Sequence, residues 1–206
     1  MCNLYTQTKS VDEVARIFRD LQMPIVFPKG LPNLAPRDIA ITDPGVIVRQ
    51  AQPAEGYELL VRRWSWPGPA GKPVYNFRSD GREFPSGRCI IVADGFYEFT
   101  ASSDPKQKRK DRWMFADRAG GMLGIAGLTR TVPEVGEAFT MLTTEPGPDV
   151  APYHNRQVAV LSQGDWRAWL DGSAPAADLL RPLEAGSLSV APRASRSFRV
   201  ARLKRS

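Results

Sequence analysis

The chain has 206 residues, of which 42% are hydrophobic and 24% charged, the composition of an ordinary globular protein. Its 28 lysines and arginines exceed its 22 aspartates and glutamates by six, a balance that is compatible with a polyanionic partner but does not require one. The sequence has no apolar run long enough to span a membrane, no signal-peptide core near its polar start, and no repeat or linker, so we expect one cytoplasmic domain, residues 1–206.

Two cysteines and one histidine limit the chemistry that the chain can support. They are too few for a disulfide framework or for a zinc site of recognisable spacing, so we expect neither a metal nor another cofactor. Cys89 lies in the apolar run Cys89-Ile90-Ile91-Val92, where a buried and inert thiol is the default expectation. A reducing compartment suits this cysteine usage.

The first half of the chain reads as one helix followed by strands. Ser10-Val11-Asp12-Glu13 has the form of a capping box, and apolar residues recur after it at helical spacing until the prolines at 24 and 28. Residues 46–48 and 57–64 are rich in β-branched and aromatic residues and predict strands. A Pro/Gly loop then carries Trp64 and Trp66, which are either lids over the core or stacking surfaces for nucleic-acid bases.

Residues 88–93 predict a buried strand, which Asp94-Gly95 turns into the segment Phe96-Tyr97-Glu98-Phe99. Glu98 has two interpretations. Burial among three aromatic residues would raise the pKa of its carboxyl group and favour a proton-transfer role. Alternatively, Glu98 is an exposed residue that alternates with inward-facing aromatics on an edge strand.

The second half predicts a polar, basic and flexible loop at 101–112, then further strands at 113–115, 122–128, 139–143 and 158–161. A short helix begins at Ser162, a second covers residues 176–185, and the arginine-rich tail at 193–206 is either solvated or weakly attracted to phosphate. Many short strands with few helices predict an α+β fold, with a curved, barrel-like and mostly antiparallel sheet and a few flanking helices.

Cys2 can do chemistry that an internal cysteine cannot, provided that Met1 is removed. Its free α-amine would condense with an aldehyde to an imine, and its thiol would then close a five-membered thiazolidine ring. These groups titrate at roughly 7.7–8.0 and about 8.5, close to neutrality. A cysteine at position 2 by chance is the ordinary alternative. His154 is the one imidazole available for acid–base work, although a lone histidine is more often structural.

Several short motifs together resemble the SOS response-associated peptidase (SRAP) family, which includes proteins that crosslink covalently to abasic sites in single-stranded DNA. They occur in family order and extend over nearly the whole chain. The motifs are Met1-Cys2, Asn33-Leu34-Ala35-Pro36, Asn76-Phe77-Arg78-Ser79, Asp94-Gly95-Phe96-Tyr97-Glu98-Phe99 and His154-Asn155-Arg156.

The resemblance implies a catalytic role for four residues. Cys2 would be the nucleophile after removal of Met1, and Asn76 would hold the terminal amine and polarise the opened sugar. Glu98 would transfer protons at the amine, and His154 would act as acid and base on the sugar oxygen during ring opening. The same residues would support autoproteolytic removal of Met1 and reversal of the crosslink.

The resemblance also implies a partner, which is single-stranded DNA containing abasic sites, bound near the nucleoid. A monomer is the default expectation, since the sequence does not reveal the oligomeric state. Phosphates would be gripped by Arg78 and Arg156, and a neighbouring base would stack on Trp64 or Trp66. The full set of implied DNA contacts is Arg78, Arg156, Trp64, Trp66, Arg82, Asn33, Pro36 and Thr143.

The chain departs from the family pattern at several positions. Asn3 and Leu4 stand where glycine and arginine are common, Phe77 replaces a small residue, and Asp80-Gly81-Arg82 replaces a plain acidic continuation. These changes bear on the DNA contacts and leave the four chemical residues intact. Two other functions remain open from the residues: a thiol peptidase acting in trans through Cys2 and His154, or a non-catalytic single-strand binder.

Overall fold

The computed structural model describes residues 2–28, 30–51, 56–102, 106 and 108–193. Over these ranges the chain forms a single α+β domain with a curved, barrel-like and mostly antiparallel sheet and few helices, which confirms the predicted fold class. In this part of the chain no helix combines the length and the apolar character that crossing a membrane requires. The predicted tail at 193–206 lies outside the described residues beyond Arg193.

Strands dominate the described chain, with helices between them. The α-helices are α1 (Val11–Asp20), α2 (Trp166–Asp171) and α3 (Ala176–Leu179), and short 3₁₀ turns occur at Pro69–Gly71 and Gln163–Asp165. The strands are β1 (Leu4–Gln7), β2 (Ile25–Val26), β3 (Arg37–Ala40), β4 (Pro44–Gln50), β5 (Tyr57–Trp64), β6 (Trp66–Pro67), β7 (Pro73–Val74), β8 (Asn76–Arg78), β9 (Arg88–Ala93), β10 (Gly95–Thr100), β11 (Asp111–Asp117), β12 (Leu123–Val132), β13 (Gly136–Thr144), β14 (Gln157–Val158), β15 (Val160–Leu161) and β16 (Leu188–Arg193).

Helix α1 begins where the capping box predicted. The amide of Glu13 donates to the Ser10 hydroxyl at 3.3 Å, and the Glu13 carboxylate accepts from the Ser10 amide at 2.9 Å. These two bonds satisfy backbone donors that the first turn of a helix otherwise leaves unpaired. Val14 and Phe18 form the buried face of the helix, and the Phe18 ring packs against Trp166 of α2.

Five strands close into a barrel. In the order β13-β12-β9-β4-β5 each strand pairs antiparallel with the next, and a parallel pairing of β5 with β13 closes the ring. Ion pairs join the strands at this closure. Arg49 of β4 contacts Glu58 of β5 and Glu137 of β13, and Glu137 also binds Arg62 of β5. Charges at the seam therefore connect the strands that complete the barrel.

A second, antiparallel sheet in the order β16-β11-β10-β1-β3 carries the amino-terminal strand. Its inner face and the barrel share one apolar cluster, in which Cys2, Tyr5 and Phe96 are buried with Ile47 and Ile91 of the barrel. Gly45 permits the close approach of the two sheets, because a Cβ at this position would overlap the Tyr5 hydroxyl. The first strand of the chain is thus held inside the fold.

The structure corrects three predictions about local elements. The helix predicted over 176–185 ends at Leu179, because Pro182 cannot continue a helix and disfavours the helical conformation of Arg181 before it. Strand β16 was missed, since its sequence shows no alternation and its partner β11 lies over 70 residues away. The predicted strand at 158–161 is two short strands with different partners, β13 and β12.

Candidate active site at the amino terminus

Cys2 lies just before β1, and only 1% of its surface is exposed. Its thiol donates to the carbonyl of Leu4 at 3.2 Å. Burial, reinforced by the negative charge of Glu98, raises the pKa of the Cys2 thiol to about 12. At neutral pH the thiol is therefore protonated, and thiolate chemistry is not its resting state.

Glu98 is the buried carboxyl group of the site. It sits on β10, is 1% exposed, and accepts a hydrogen bond from the backbone nitrogen of Cys2. Burial raises the pKa of Glu98 to about 7. Of the two sequence interpretations, the buried one is therefore confirmed. A carboxyl group with this pKa can both release and accept a proton near neutrality.

Asn76 fixes the other side of Cys2. It begins the short strand β8, which pairs parallel with β13 so that Asn76 lies opposite Met141. The Asn76 side-chain amide donates to the Cys2 carbonyl at 2.8 Å. The Oδ1 atom of Asn76 is buried, and no described residue donates a hydrogen bond to it. An acceptor in this position is available to a ligand group with an N–H or O–H.

His154 follows the turn that leads from β13 to β14, and its amide donates to the carbonyl of Val150 at 3.0 Å. The preceding Tyr153 ring packs on Trp113 at 4.8 Å, and Trp113 is the cross-strand partner of Glu98. This contact joins the histidine segment to β11, the strand paired with the one that carries the buried carboxyl group. Burial lowers the pKa of His154, so its imidazole is neutral at pH 7.

The ring nitrogen Nδ1 of His154 has two partners in one peptide segment. It lies 3.0 Å from the amide nitrogen of Arg156 and 3.0 Å from the Arg156 carbonyl oxygen. The amide can donate to Nδ1 in the neutral tautomer that carries its hydrogen on Nε2, and the carbonyl can accept from Nδ1–H in the other neutral tautomer and in the protonated ring. The backbone of Arg156 therefore offers a suitable partner to both protonation states.

The side chain of Arg156 forms an ion pair within the protein. Its two terminal nitrogens bind the two Asp80 oxygens at 2.8 and 2.6 Å, and one of them also donates to the Thr143 carbonyl at 2.8 Å. Hydrogen bonds from the Arg156 side chain, with a smaller effect of its charge, hold the pKa of Asp80 below its usual value. Thr143 itself is buried, so the implied contacts of Arg156 and Thr143 with DNA would require this pair to open.

The other residues implied to contact DNA divide into exposed and buried ones. Arg78 and Arg82 are exposed beside the site, with the Arg82 guanidinium 4.9 Å from the Phe77 ring centre. Asn33 and Pro36 are exposed in the loop before β3, and Asn33 lines a groove of about 280 Å³. These four side chains are available to a ligand.

Both loop tryptophans are buried. Trp64 has no exposed surface, and its indole N–H donates to the Tyr75 carbonyl at 2.9 Å. Trp66 is 6% exposed and packs with Val132 and Ala138. We therefore assign both indoles to the core and not to a base-stacking surface. Both indoles are covered by apolar residues from distant parts of the chain, so the sequence alone could not distinguish a core position from a stacking surface.

Asp94 has a positioning role that sequence reasoning missed. Its carboxylate accepts from the Thr8 amide, from the Thr8 hydroxyl at 2.8 Å and from the Lys9 amide at 3.2 Å, and it pairs with the Lys9 ammonium at 3.0 Å. These bonds tie the end of β1 to the start of β10, four residues before Glu98. An aspartate before a glycine, at the turn between two strands, was the available signal.

The geometry defines a small buried site built around a chain terminus, in which a carboxyl group and a carboxamide hold the peptide units of a cysteine. The family model for SOS response associated peptidase (SRAP) matches residues 1–196. The chain therefore belongs to the SRAP family, which associates it with the SOS response to DNA damage.

Solved structures share this fold. A protein from Bordetella bronchiseptica is 24% identical, with a TM-score of 0.69 and coverage of 94% of this chain and 100% of that one. A phage-related protein from the same organism is 19% identical, with a TM-score of 0.69 and coverage of 94% and 95%. A Bacteroides thetaiotaomicron protein is 17% identical, with a TM-score of 0.65 and coverage of 93% and 91%. At these identities the likeness concerns the fold. No curated protein matches the chain.

Proposed function

We propose that the mature protein captures abasic sites in single-stranded DNA as a covalent thiazolidine formed by Cys2. The observation that carries this proposal is the hydrogen bond between the Cys2 nitrogen and the buried carboxyl group of Glu98. That nitrogen is the atom that becomes the α-amine when Met1 leaves. A proton acceptor and donor is thus already in contact with the atom that would attack an aldehyde.

The reaction begins with hydrolysis of the Met1–Cys2 peptide bond, which consumes one water and leaves a free amine on Cys2. Asn76 donates a hydrogen bond to the Cys2 carbonyl, which belongs to the peptide unit after the one that is cleaved. Cys2 therefore stays in place when the bond breaks. Glu98, with a pKa of about 7, can accept a proton as the amine becomes nucleophilic. The protein therefore contains a base for the released amine at neutral pH.

The covalent link then forms in two balanced steps. The amine adds to the sugar aldehyde and loses water to give an imine, with the leaving oxygen protonated by Glu98 or His154. The Cys2 sulfur adds to the imine carbon, and the thiol proton passes to the nitrogen. No oxidant or reductant is needed. Binding of the lesion beside the amine raises the effective concentration of the small fraction of open-chain aldehyde.

The protonation state of Cys2 supports an amine-first order and weighs against a thiol peptidase acting in trans. Such a peptidase depends on a thiolate activated by a histidine. In this site burial raises the pKa of the Cys2 thiol to about 12, whereas the pKa of His154 is lowered. The raised pKa of the thiol and the lowered pKa of the imidazole both disfavour a thiolate–imidazolium pair. A neutral thiol that adds after imine formation fits the observed burial.

Exposed arginines near the site supply the attraction for DNA. Arg78 is the last residue of β8, which Asn76 begins, and Arg82 lies in the next loop. The formal net charge of +6 adds a general attraction for a polyanion. Phosphate contacts of this kind are independent of base sequence and weaken with salt. A monomer carrying one terminal amine would form one crosslink for each lesion.

A denaturing gel tests the proposal. Single-stranded DNA with one abasic site should give a slower band that survives denaturation, whereas intact DNA should give none. DNA whose abasic aldehyde has been reduced to an alcohol should also fail, because no imine can form. Cys2→Ala should abolish the band, and Cys89→Ala should retain it, since Cys89 is the other buried thiol and lies in the barrel.

Two further variants examine the mechanism. Cys2→Ser keeps the amine but replaces the sulfur, so its imine should be trapped only when borohydride is added. Glu98→Gln should form the link at least tenfold more slowly, within the range of general acid–base effects. Mass spectrometry should show that reacting molecules lack Met1. A crosslink by molecules that retain Met1, or one unaffected by Cys2→Ala, would contradict the proposal.

A further inference from the structure

We propose that Asp80 is a positioning residue, which acts through its ion pair with Arg156 to hold His154 in place for proton transfer. This inference rests on the proposed function for its effect on crosslinking, but its structural part is independent of DNA. Asp80 opens the segment Asp80-Gly81-Arg82 in the loop after β8. From this loop its side chain reaches Arg156 of the motif His154-Asn155-Arg156.

The ion pair between Asp80 and Arg156 has a bidentate geometry. Both oxygens of Asp80 bind the two terminal nitrogens of Arg156, an arrangement that fixes the guanidinium plane as well as its distance. The same guanidinium donates to the carbonyl and, at 3.3 Å, to the hydroxyl of Thr143. Arg156 is thus held from two directions, by the loop after β8 and by strand β13. Its side chain is only 12% exposed.

The backbone of Arg156, whose side chain is held in this way, is in contact with the imidazole of His154. Nδ1 of His154 contacts both the amide and the carbonyl of Arg156 at 3.0 Å. A neutral ring that accepts a proton at Nε2 carries its own hydrogen on Nδ1, so Nδ1 needs a hydrogen-bond acceptor in both protonation states. The Arg156 carbonyl supplies that acceptor at 3.0 Å. Fixing the Arg156 side chain therefore fixes the partner that orients the imidazole.

A simple phosphate contact is the alternative role for the Arg156 side chain. In the structure Asp80 already occupies the two nitrogens that would bind a phosphate in bidentate fashion. If Arg156 served chiefly to bind DNA, Asp80 would be a competitor, and its removal should strengthen DNA binding. If Asp80 positions His154, its removal should slow the chemistry and leave DNA affinity nearly unchanged. The two roles therefore predict changes in different quantities.

The test uses Asp80→Asn, with Glu134→Gln as a control of equal charge change. Glu134 is exposed in the turn between β12 and β13, at the opposite end of β13 from Thr143. Because the chain has a single histidine, nitrogen NMR of the ring reports His154 without ambiguity. For Asp80→Asn we expect changed Nδ1 and Nε2 shifts and a changed titration midpoint. Glu134→Gln should match the unsubstituted protein.

Kinetics provides the second readout. At saturating abasic DNA, Asp80→Asn should lower the crosslinking rate about three- to tenfold, part of the 10²–10⁴-fold that a positioned acid–base group contributes. The DNA dissociation constant should change less than twofold. Asp80→Glu, which keeps the charge and both oxygens, should recover part of the rate. Unchanged histidine shifts, or tighter DNA binding with an undiminished rate, would overturn the proposal.

The two proposals fail in distinguishable ways. If the unsubstituted protein forms no crosslink, the proposed function is wrong, but the NMR comparison still reports whether Asp80 orients His154. If crosslinking occurs and the histidine resonances ignore Asp80→Asn, only the positioning role is wrong. Thermal unfolding of each variant checks that the domain remains folded under the assay conditions.

Discussion

Replacing Glu98 by glutamine should make the protein more stable above neutral pH, even though it removes a proposed catalytic group. Glu98 is buried, and its pKa is raised by that burial from 4.5 to about 7. The folded protein therefore favours the protonated carboxyl group. Stability from this preference is complete below pH 4.5 and is lost as the pH rises through 7.

The size of the effect follows from the two pKa values. Each pH unit between them corresponds to about 1.36 kcal/mol, so the full difference between 4.5 and about 7 amounts to roughly 3 kcal/mol. Glutamine is neutral at every pH and keeps an oxygen that can accept from the Cys2 nitrogen. Above pH 8 the variant should be more stable by about 3 kcal/mol, or roughly 6–12 °C in Tm for a domain of this size. Near pH 4 the two proteins should have similar stability.

Guanidinium denaturation, followed by the fluorescence of the five tryptophans at pH 4, 6 and 8, measures this difference. Mass spectrometry should first establish that the two samples have the same terminus, with Met1 either retained in both or removed from both. Glu13→Gln serves as a control of opposite sign, because hydrogen bonds from Ser10 lower the pKa of Glu13. Glu13→Gln should be less stable than the unsubstituted protein at pH 6 and 8, and this difference should shrink as the pH falls below 4.5. A stability difference between Glu98→Gln and the unsubstituted protein that is the same at all three pH values would refute the reasoning.

Substitutions at three further positions test the fold and the DNA surface. Gly45→Ala should lower the free energy of unfolding by at least about 1–3 kcal/mol, because the new Cβ overlaps the buried Tyr5 hydroxyl; urea denaturation measures it, and a neutral result would contradict the close approach. Ser10→Ala should cost about 1 kcal/mol through loss of the helix cap, whereas Ser10→Asp should restore most of it in the same assay. Arg78→Ala should weaken single-stranded DNA binding in fluorescence anisotropy and reduce the slope of log affinity against log salt by about one; an unchanged slope would exclude a phosphate contact.

Local patterns in the sequence were sufficient for several elements. The capping box located the start of α1, and the β-branched segments at Tyr57–Trp64 and Arg88–Ala93 became strands with the expected bounds. The burial of Cys89 followed from its apolar neighbours. These features depend on residues close together in the chain, where propensity and hydrogen bonding act within a few positions.

The candidate site was only partly readable in this way. The family resemblance indicated Cys2, Asn76, Glu98 and His154, and the structure joins the first three directly through hydrogen bonds. The family resemblance did not indicate that Asp80 forms an ion pair with Arg156. That contact connects residues 76 positions apart, and nothing local in either segment specifies its partner.

By itself the sequence determined the composition, the helix cap, the main strands and the residue types capable of the proposed chemistry. Only the tertiary structure decided that Glu98 faces inward, that Trp64 and Trp66 belong to the core, and that Arg156 is paired. The physical reason is that alternation separates the two faces of a strand without showing which face will be covered. Coverage, and with it desolvation and the pKa of a carboxyl group, is set by strands that arrive from distant parts of the chain.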